Sequence, residues 1–195
     1  MAETFDLDSK TEAVLKKKGY QLKKKLSAGA FGQVYTALCH KDGLLYAVKI
    51  MELDKVSEKF KHKFLPRELA ALMAIKHENV IRVYDIIKSG GRIYIFMEFA
   101  PNGDIAAYLK KNGTLTETHA CLWFTQSTQA LRYVHEEVFM AHRDIKVDNI
   151  LLDENNNCKL TDFGFAKIVV DERTQRVQLS ESYCGTEPYY CPQVI

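Results

Sequence analysis

The segment Ala141-His142-Arg143-Asp144-Ile145-Lys146-Val147-Asp148-Asn149 places two carboxylates, an amide and a lysine inside one loop between a helix and a strand. Thr161-Asp162-Phe163-Gly164 follows the next turn. A solvated polar connection could carry such letters, but their order meets a specific demand. Phosphoryl transfer calls for a base for a hydroxyl, oxygen ligands for Mg²⁺ and a lysine near the transferred group. Upstream, Ser27-x-Gly29-x-x-Gly32-x-Val34 supplies glycines that let a backbone approach phosphates and aim N–H groups at them. Ala47-Val48-Lys49 sets a lysine among apolar residues on the following strand, where an exposed lysine is the commoner case. Glu68, on a helix, is a partner for Lys49, although a lone helix glutamate is usually solvated. Each motif alone is weak. Five in one order at compatible spacing are not coincidence.

Strands must carry the first of these groups. Tyr20-Gln21-Leu22 leads into SAGAFGQVYTAL, and the turn Lys41-Asp42-Gly43 leads into LLYAVKIM, a hairpin signal. FKHKFLPRELAALMAI repeats apolar residues at Leu65, Leu69, Leu72 and Met73, a helical period. VIRVYDII and RIYIFMEF follow, joined by Ser89-Gly90-Gly91. The first hundred residues therefore predict a five-stranded antiparallel sheet with one helix. The linker Ala100-Pro101-Asn102-Gly103 breaks the pattern. A long helix is predicted over His119 to Val138, with Ala120, Trp123, Phe124, Ser127, Ala130, Leu131 and Val134 on one face. ILLDENNNCKL reads as strand, Asn-rich turn, strand. At the N-terminus, residues 1–18 form a polar leader with one short helix over Lys10 to Lys18, a Ser9-x-x-Glu12 capping box, and Gly19 free to take positive φ. The lysine triplets Lys16–Lys18 and Lys23–Lys25 read as solvated faces rather than phosphate contacts, since no aromatic residues interleave them.

Composition excludes several classes. The chain is 47% apolar and 27% charged with net charge +2, so no strong field points to nucleic acid or an anionic membrane. No run of about 18 apolar residues exists. MAETFDLDSK lacks the layout of a signal peptide, so a cytoplasmic or nuclear placement is expected. Five cysteines without a CxxC pair argue against a disulfide framework or a zinc ribbon. His135 and His142 stand seven apart, not four, and do not make a metalloprotease helix.

With these motifs assembled, the chain resembles the eukaryotic serine/threonine protein kinases, and more narrowly the testis-specific serine kinase family. The narrower resemblance rests on Ala13-Val14-Leu15-Lys16 with Gly19-Tyr20, Glu58-Lys59-Phe60, Phe64-Leu65-Pro66-Arg67-Glu68, Asp148-Asn149-Ile150-Leu151-Leu152-Asp153, and Ser180-x-Ser182-Tyr183-Cys184-Gly185. It implies an α+β, bilobal fold: a leader over 1–19, a complete small lobe over 20–100, and a partial, helical large lobe over 101–195. It also implies roles. Asp144 would orient the substrate hydroxyl, Lys146 steady the γ-phosphate, and Asn149 and Asp162 hold Mg²⁺. Lys49, paired with Glu68, would grip the α- and β-phosphates of ATP. Leu26, Ser27, Gly29 and Gly32 would cover the phosphates, while Val34, Ala47 and Leu151 sandwich adenine. Met97 would be the gatekeeper, Glu98 to Ala100 the hinge, and Asp104 a neighbour of the ribose. Leu72, Val83, His142 and Phe163 would stack as a column linking the lobes. Thr186 would bridge Asp144 and Lys146. Ser182 would be the activation-loop phosphosite, with Arg143 as its cationic partner. Protein substrates with Ser or Thr are implied, with Asp104 and Asp148 favouring basic residues upstream, and a role in spermatogenesis.

The sequence departs from that family at four places. Ser27 replaces the first glycine of the phosphate loop, and Glu187-Pro188 replaces the usual pair in the substrate-binding loop. Cys191-Pro192-Gln193 stands where Ala-Pro-Glu is usual, so Gln193 lacks a charge. The helices that follow in the family have no counterpart, so the apolar face of the long helix is expected to be left as an exposed patch, or covered by a partner or chaperone. Two readings stay open: a working kinase, or a truncated, weakly active or inactive remnant that binds ATP or partners.

Overall fold

The structure, a computed structural model, describes residues 9–29, 32–53, 65–170, 174, 176–177 and 184–191. These fall into two compact units, one drawn from Met1–Leu69 and Arg82–Phe99, the other from Ala70–Ile81 and Ala100–Ile195.

The first unit is built on strands β1 (Tyr20–Gly29), β2 (Gly32–Cys39), β3 (Leu45–Glu52), β4 (Val83–Ser89) and β5 (Arg92–Glu98). They form the predicted antiparallel sheet, in the order β1-β2-β3-β5-β4. The DG turn works as its chemistry requires. Gly43 takes φ +73°, and Asp42 accepts the Leu44 N–H at 2.9 Å and the Tyr46 hydroxyl at 2.8 Å. Those bonds, with the backbone's, hold the Asp42 carboxyl below its ordinary value.

Directly opposed residues share a face of a sheet. The row Tyr35–Val48–Phe96 therefore faces one way, together with Ala37 and Ile50, and these side chains are buried. Helix α1 (Ser9–Lys17) closes over that side by burying Leu15, 2% exposed. Its Thr11 hydroxyl lies 3.3 Å from the Tyr94 hydroxyl and accepts from Arg92 Nη1 at 2.9 Å. The leader helix forms as predicted and ends at Gly19, φ +83°. Despite its lysines it is packed against the sheet rather than set apart from it.

In the second unit, the end of α2 (Leu65–Ala74) brings Ala71 and Leu72 to a core that includes Ile75, Val80, Trp123, Ala130 and Leu160. Met73, predicted on the apolar face, is 38% exposed. Helix α3 (Ile105–Asn112) starts at Asp104, whose carboxylate caps the Ala107 N–H at 2.7 Å. Helix α4 (Glu117–Glu136) starts at the Thr116 cap. Its buried side is Trp123, Ala130 and Val134, with Ser127 and Leu131 half-buried. Ala120 and Phe124, grouped with them by periodicity, are exposed instead, Phe124 to 75%. No described element of this unit covers that edge, but the rest of the face, expected to be left exposed, is enclosed by the unit's own core. Short strands complete the unit: β6 (Met140–Ala141) pairs with β9 (Lys167–Ile168), and β7 (Ile150–Leu152) with β8 (Cys158–Leu160).

Candidate active site

The β6–β9 pair anchors the start of the charged loop, holding Ala141 opposite Lys167. Beyond it the chain must turn sharply, and Arg143 takes φ +67°, a left-handed conformation rare for a non-glycine residue. Three contacts hold it. Arg143 Nε donates to the Phe165 carbonyl at 2.6 Å. His142, buried beside it, places Nε2 2.8 Å from the Thr161 carbonyl, so that nitrogen carries the proton. Its Nδ1 then accepts the Asp144 N–H at 3.3 Å. Burial pushes the His142 pKa down, against the opposing pull of the Thr161 carbonyl and the Asp162 and Asp144 charges. The ring meets Phe163 edge-on at 4.8 Å.

Asp144, 6% exposed, is the centre of the loop. Thr186 Oγ1 donates to its Oδ1 at 2.6 Å. Lys146 Nζ lies 3.1 Å from Oδ2 and donates to Thr186 Oγ1 at 2.7 Å. Asn149 Nδ2 donates to Oδ2 at 2.9 Å and to the Asp144 carbonyl at 2.8 Å. Burial alone raises a carboxyl pKa, but the bonds from Thr186, Lys146 and Asn149, with the Lys146 charge, outweigh it and hold Asp144 below its ordinary value. The result is an ionised carboxylate in a fixed orientation.

The β7–β8 hairpin aligns the oxygen donors. Ile150 pairs with Leu160, and the Thr161 N–H donates to the Asn149 carbonyl at 3.0 Å, so Asn149 and Asp162 stand at the same end. Asp162 is left-handed, φ +59°, and its side chain accepts the Gly164 N–H at 3.3 Å. Because the Asn149 nitrogen is committed to Asp144, its amide oxygen is the atom left for a cation. Among the described residues no group of three or more His, Cys, Asp or Glu could hold a metal alone. A sparse donor set of this kind suits Mg²⁺, which keeps waters and shares substrate phosphates.

The other end of the hairpin, not identified from sequence as part of any site, is a densely bonded turn. Asp153 Oδ1 accepts the N–H groups of Asn155 and Asn157 at 2.9 and 2.8 Å. Gln126 of α4 accepts the Cys158 N–H and donates to Asn157, and Trp123 Nε1 donates to the Asn156 carbonyl. Asn102 Nδ2 donates to the Asp153 carbonyl at 2.8 Å and to Asn156 Oδ1 at 2.9 Å. Gly185, part of the family resemblance, has a positional role that its letter alone does not show. At φ +118°, a Cβ there would meet the Arg143 carbonyl at 2.7 Å and the Tyr190 ring at 3.0 Å. Only glycine lets the segment carrying Thr186 approach the Arg143–Asp144 loop so closely.

The remaining predicted residues of the small lobe lie in the first unit. Val34 opposes Lys49, and Ala47 opposes Met97, so these four side chains share the sheet face opposite Tyr35, Val48 and Phe96. Leu26 and Ser27 lie on β1, with Ser27 opposite Val34, and Gly29 opposes Gly32 at the strand ends. A Cβ on Gly32 would fall 2.1 Å from the Ile50 carbonyl oxygen, so this glycine is required by the neighbouring strand. Lys49 and Glu68 are both half-buried. Glu98 accepts the Arg82 N–H through its carboxylate, and Ala100 is buried in the second unit. There, Leu151 bridges to Asp104. Ser182, Pro192, Gln193 and Glu58 to Phe60 lie outside the described residues.

Comparison with known proteins matches residues 20–195 to the family described as "Protein kinase domain". The chain is 36% identical over 188 residues to human testis-specific serine/threonine-protein kinase 4, covering 91% of this chain and 57% of that protein. It is 39% identical over 184 residues to mouse testis-specific serine/threonine-protein kinase 2, covering 94% and 51%. Mouse testis-specific serine/threonine-protein kinase 3 is 39% identical over 185 residues, covering 94% of this chain and 67% of that relative. The chain thus spans about half to two-thirds of the length of these curated relatives.

Proposed function

The chain belongs to the protein kinase domain family, and on that footing we propose that it transfers the γ-phosphate of ATP to Ser or Thr hydroxyls of proteins. Use of ATP and Mg²⁺ is general to the family. The observation that carries the proposal is the Asp144 carboxylate, ionised and oriented by Thr186, Lys146 and Asn149. Such a group can hold an incoming hydroxyl and receive its proton, while Lys146 stands beside it to meet a phosphoryl oxygen. Catalysis of this kind is positioning and electrostatics, with no covalent intermediate on the protein. Asn149, through its free amide oxygen, and Asp162 would hold Mg²⁺, which supplies charge neutralisation at the phosphates. Lys49 and Glu68 would serve the α- and β-phosphates, and Val34, Ala47, Met97 and Leu151 would each contact the adenine. Leu26, Ser27, Gly29 and Gly32 would cover the phosphates; Glu98 to Ala100 would form the hinge, and Asp104 would neighbour the ribose.

Radiolabel transfer from ATP to a basic Ser-containing peptide tests the proposal. Asp144→Asn and Lys49→Met are each expected to lower turnover by about 10²–10⁴-fold with the fold near intact. Activity retained in either variant would remove the roles given to these residues. Basic residues upstream of the acceptor fit Asp148, which is exposed, and a peptide array reads that preference. The names of the relatives support a role in sperm formation. Ser182 would be the phosphorylated switch, paired with Arg143. The exposed Phe124 side of α4 favours a second reading, a partner-binding module that takes up nucleotide without turnover. A nucleotide-dependent thermal shift with no label transfer would select it.

A further inference from the structure

The charge of the chain is unevenly spread. Residues 10–25 hold seven lysines (Lys10, Lys16 to Lys18 and Lys23 to Lys25) against one carboxylate, Glu12, a local net charge of +6. The whole chain carries +2, which leaves −4 for everything else. A near-balance that by itself points to no anionic partner thus conceals one strongly basic stretch. All seven lysines are exposed. Lys23 Nζ donates to Gln21 Oε1 at 2.8 Å, and none of the seven is paired with a carboxylate among the described residues.

The fold gathers these charges on one frame. Helix α1 lies on the sheet face of Tyr35, Val48 and Phe96, held there by Leu15 and by Thr11, so its lysines point outward. Lys25 stands on that same face, its Nζ 5.9 Å from the centre of the Tyr35 ring. Lysines on β1, an edge strand, also discourage pairing with another chain. That role asks for none on α1. The turn between β2 and β3 joins the basic end of α1: the His40 N–H donates to the Gly19 carbonyl at 2.8 Å, and the Cys39 N–H to the Leu44 carbonyl at 2.9 Å. This turn adds exposed Lys41 and two adjacent leucines in the open, Leu44 at 59% and Leu45 at 46%. Its Asp42 is committed to the turn itself.

Three features select the partner. The stretch uses lysine alone, and lysine's point charge suits a diffuse anionic field, whereas arginine's fork suits a single phosphate or carboxylate. The one aromatic ring among the lysines, Tyr20, is stacked on Phe96 and edged by Tyr46, so it offers no platform for a nucleic-acid base. Exposed leucines beside a basic patch gain nothing from a soluble anion but gain by entering lipid. We infer that α1, β1 and the β2–β3 turn form a peripheral docking surface for an anionic lipid bilayer, with the lysines on the headgroups and Leu44 at the acyl boundary.

The test needs no catalytic activity, so it stands apart from the phosphoryl-transfer reading. The full chain is sedimented with vesicles of phosphatidylcholine, with and without phosphatidylserine, at low and high salt. Binding is expected only where phosphatidylserine is present, and it should fall as salt rises. Each lysine near an anionic surface strengthens binding by about fivefold, so Lys16→Gln, Lys17→Gln and Lys18→Gln together should weaken it by about 10–100-fold. Lys110→Gln with Lys111→Gln, exposed lysines of the other unit, should leave it unchanged. Leu44→Ser should lower vesicle binding and leave binding to soluble polyglutamate unaltered. All the replaced side chains are exposed, and thermal midpoints check that each variant folds. No binding to phosphatidylserine vesicles, or binding that survives loss of both lysine triplets, would overturn the inference. So would polyglutamate or duplex DNA displacing the vesicles with Leu44→Ser indifferent, which would assign the patch to an acidic macromolecule in solution.

Discussion

At the scale of single residues, Gly185 and His142 do the least visible positioning and give the clearest tests. Alanine at Gly185 would be strained by φ +118° and would drive its Cβ against the Arg143 carbonyl. Gly185→Ala is expected to cost about 1–3 kcal/mol and to lower kcat at least tenfold, because Thr186 is the next residue; denaturant midpoints and steady-state rates check the two effects. His142 yields a pH dependence. Its pKa is depressed in the folded chain, so the unfolded chain binds a proton near pH 6.5 that the folded chain refuses. Its contribution is present above that pH and is lost as pH falls below it. Urea midpoints should drop between about pH 7.5 and 5.5, and His142→Gln should flatten this part of the profile. Asp144 adds the same sign at lower pH, since its pKa is held below that of a free carboxyl.

At the scale of elements, much of the fold was legible and the reasons can be named. Period-two runs bounded by Asp42-Gly43 and Gly90-Gly91 announced the sheet, because a half-buried strand must alternate. Helix α4 was legible in extent but not in burial. Periodicity shows which residues share a face, and not which neighbour covers it, so Phe124 was grouped with Trp123 although only Trp123 is enclosed. The loop of Asp144 was readable because Lys146 and Asn149 lie within five residues of it; Thr186, 42 residues on, came only with the family resemblance. The clamp on the hairpin turn was not, since Asn102 and Asp153 are 51 residues apart, and Gln126 and Cys158 are 32 apart. Helix α1 was readable as a helix, but one enclosed apolar residue, Leu15, and one enclosed hydroxyl, Thr11, among lysines give no pattern of attachment. Leu15→Ala is expected to destabilise the sheet unit by about 2–5 kcal/mol, read as a lower urea midpoint. A leader merely solvated beside the sheet would leave that midpoint unchanged.

At the scale of the whole molecule, the residues for which roles are proposed fall in both units, Lys49 and Glu68 in one and Asp144, Lys146, Asn149 and Asp162 in the other. The exposed edge of α4 is a property of the chain as a particle, with net charge +2 giving little repulsion between copies. Phe124→Ser is expected to change stability by no more than about 0.5 kcal/mol while reducing binding of a hydrophobic dye. A large loss of stability would show that Phe124 is packed after all. The Asn102 clamp has one more consequence, and it concerns time. Asn102 precedes Gly103, which has no side chain to shield the backbone nitrogen from attacking the asparagine side chain, the route by which an amide slowly becomes a carboxylate. The atom lost in that conversion is the Nδ2 that joins Asp153 and Asn156, and an aspartate can only accept hydrogen bonds. The hairpin bearing Asn149 and Asp162 is therefore secured by a bond with a chemical shelf life, and aged protein should loosen there first.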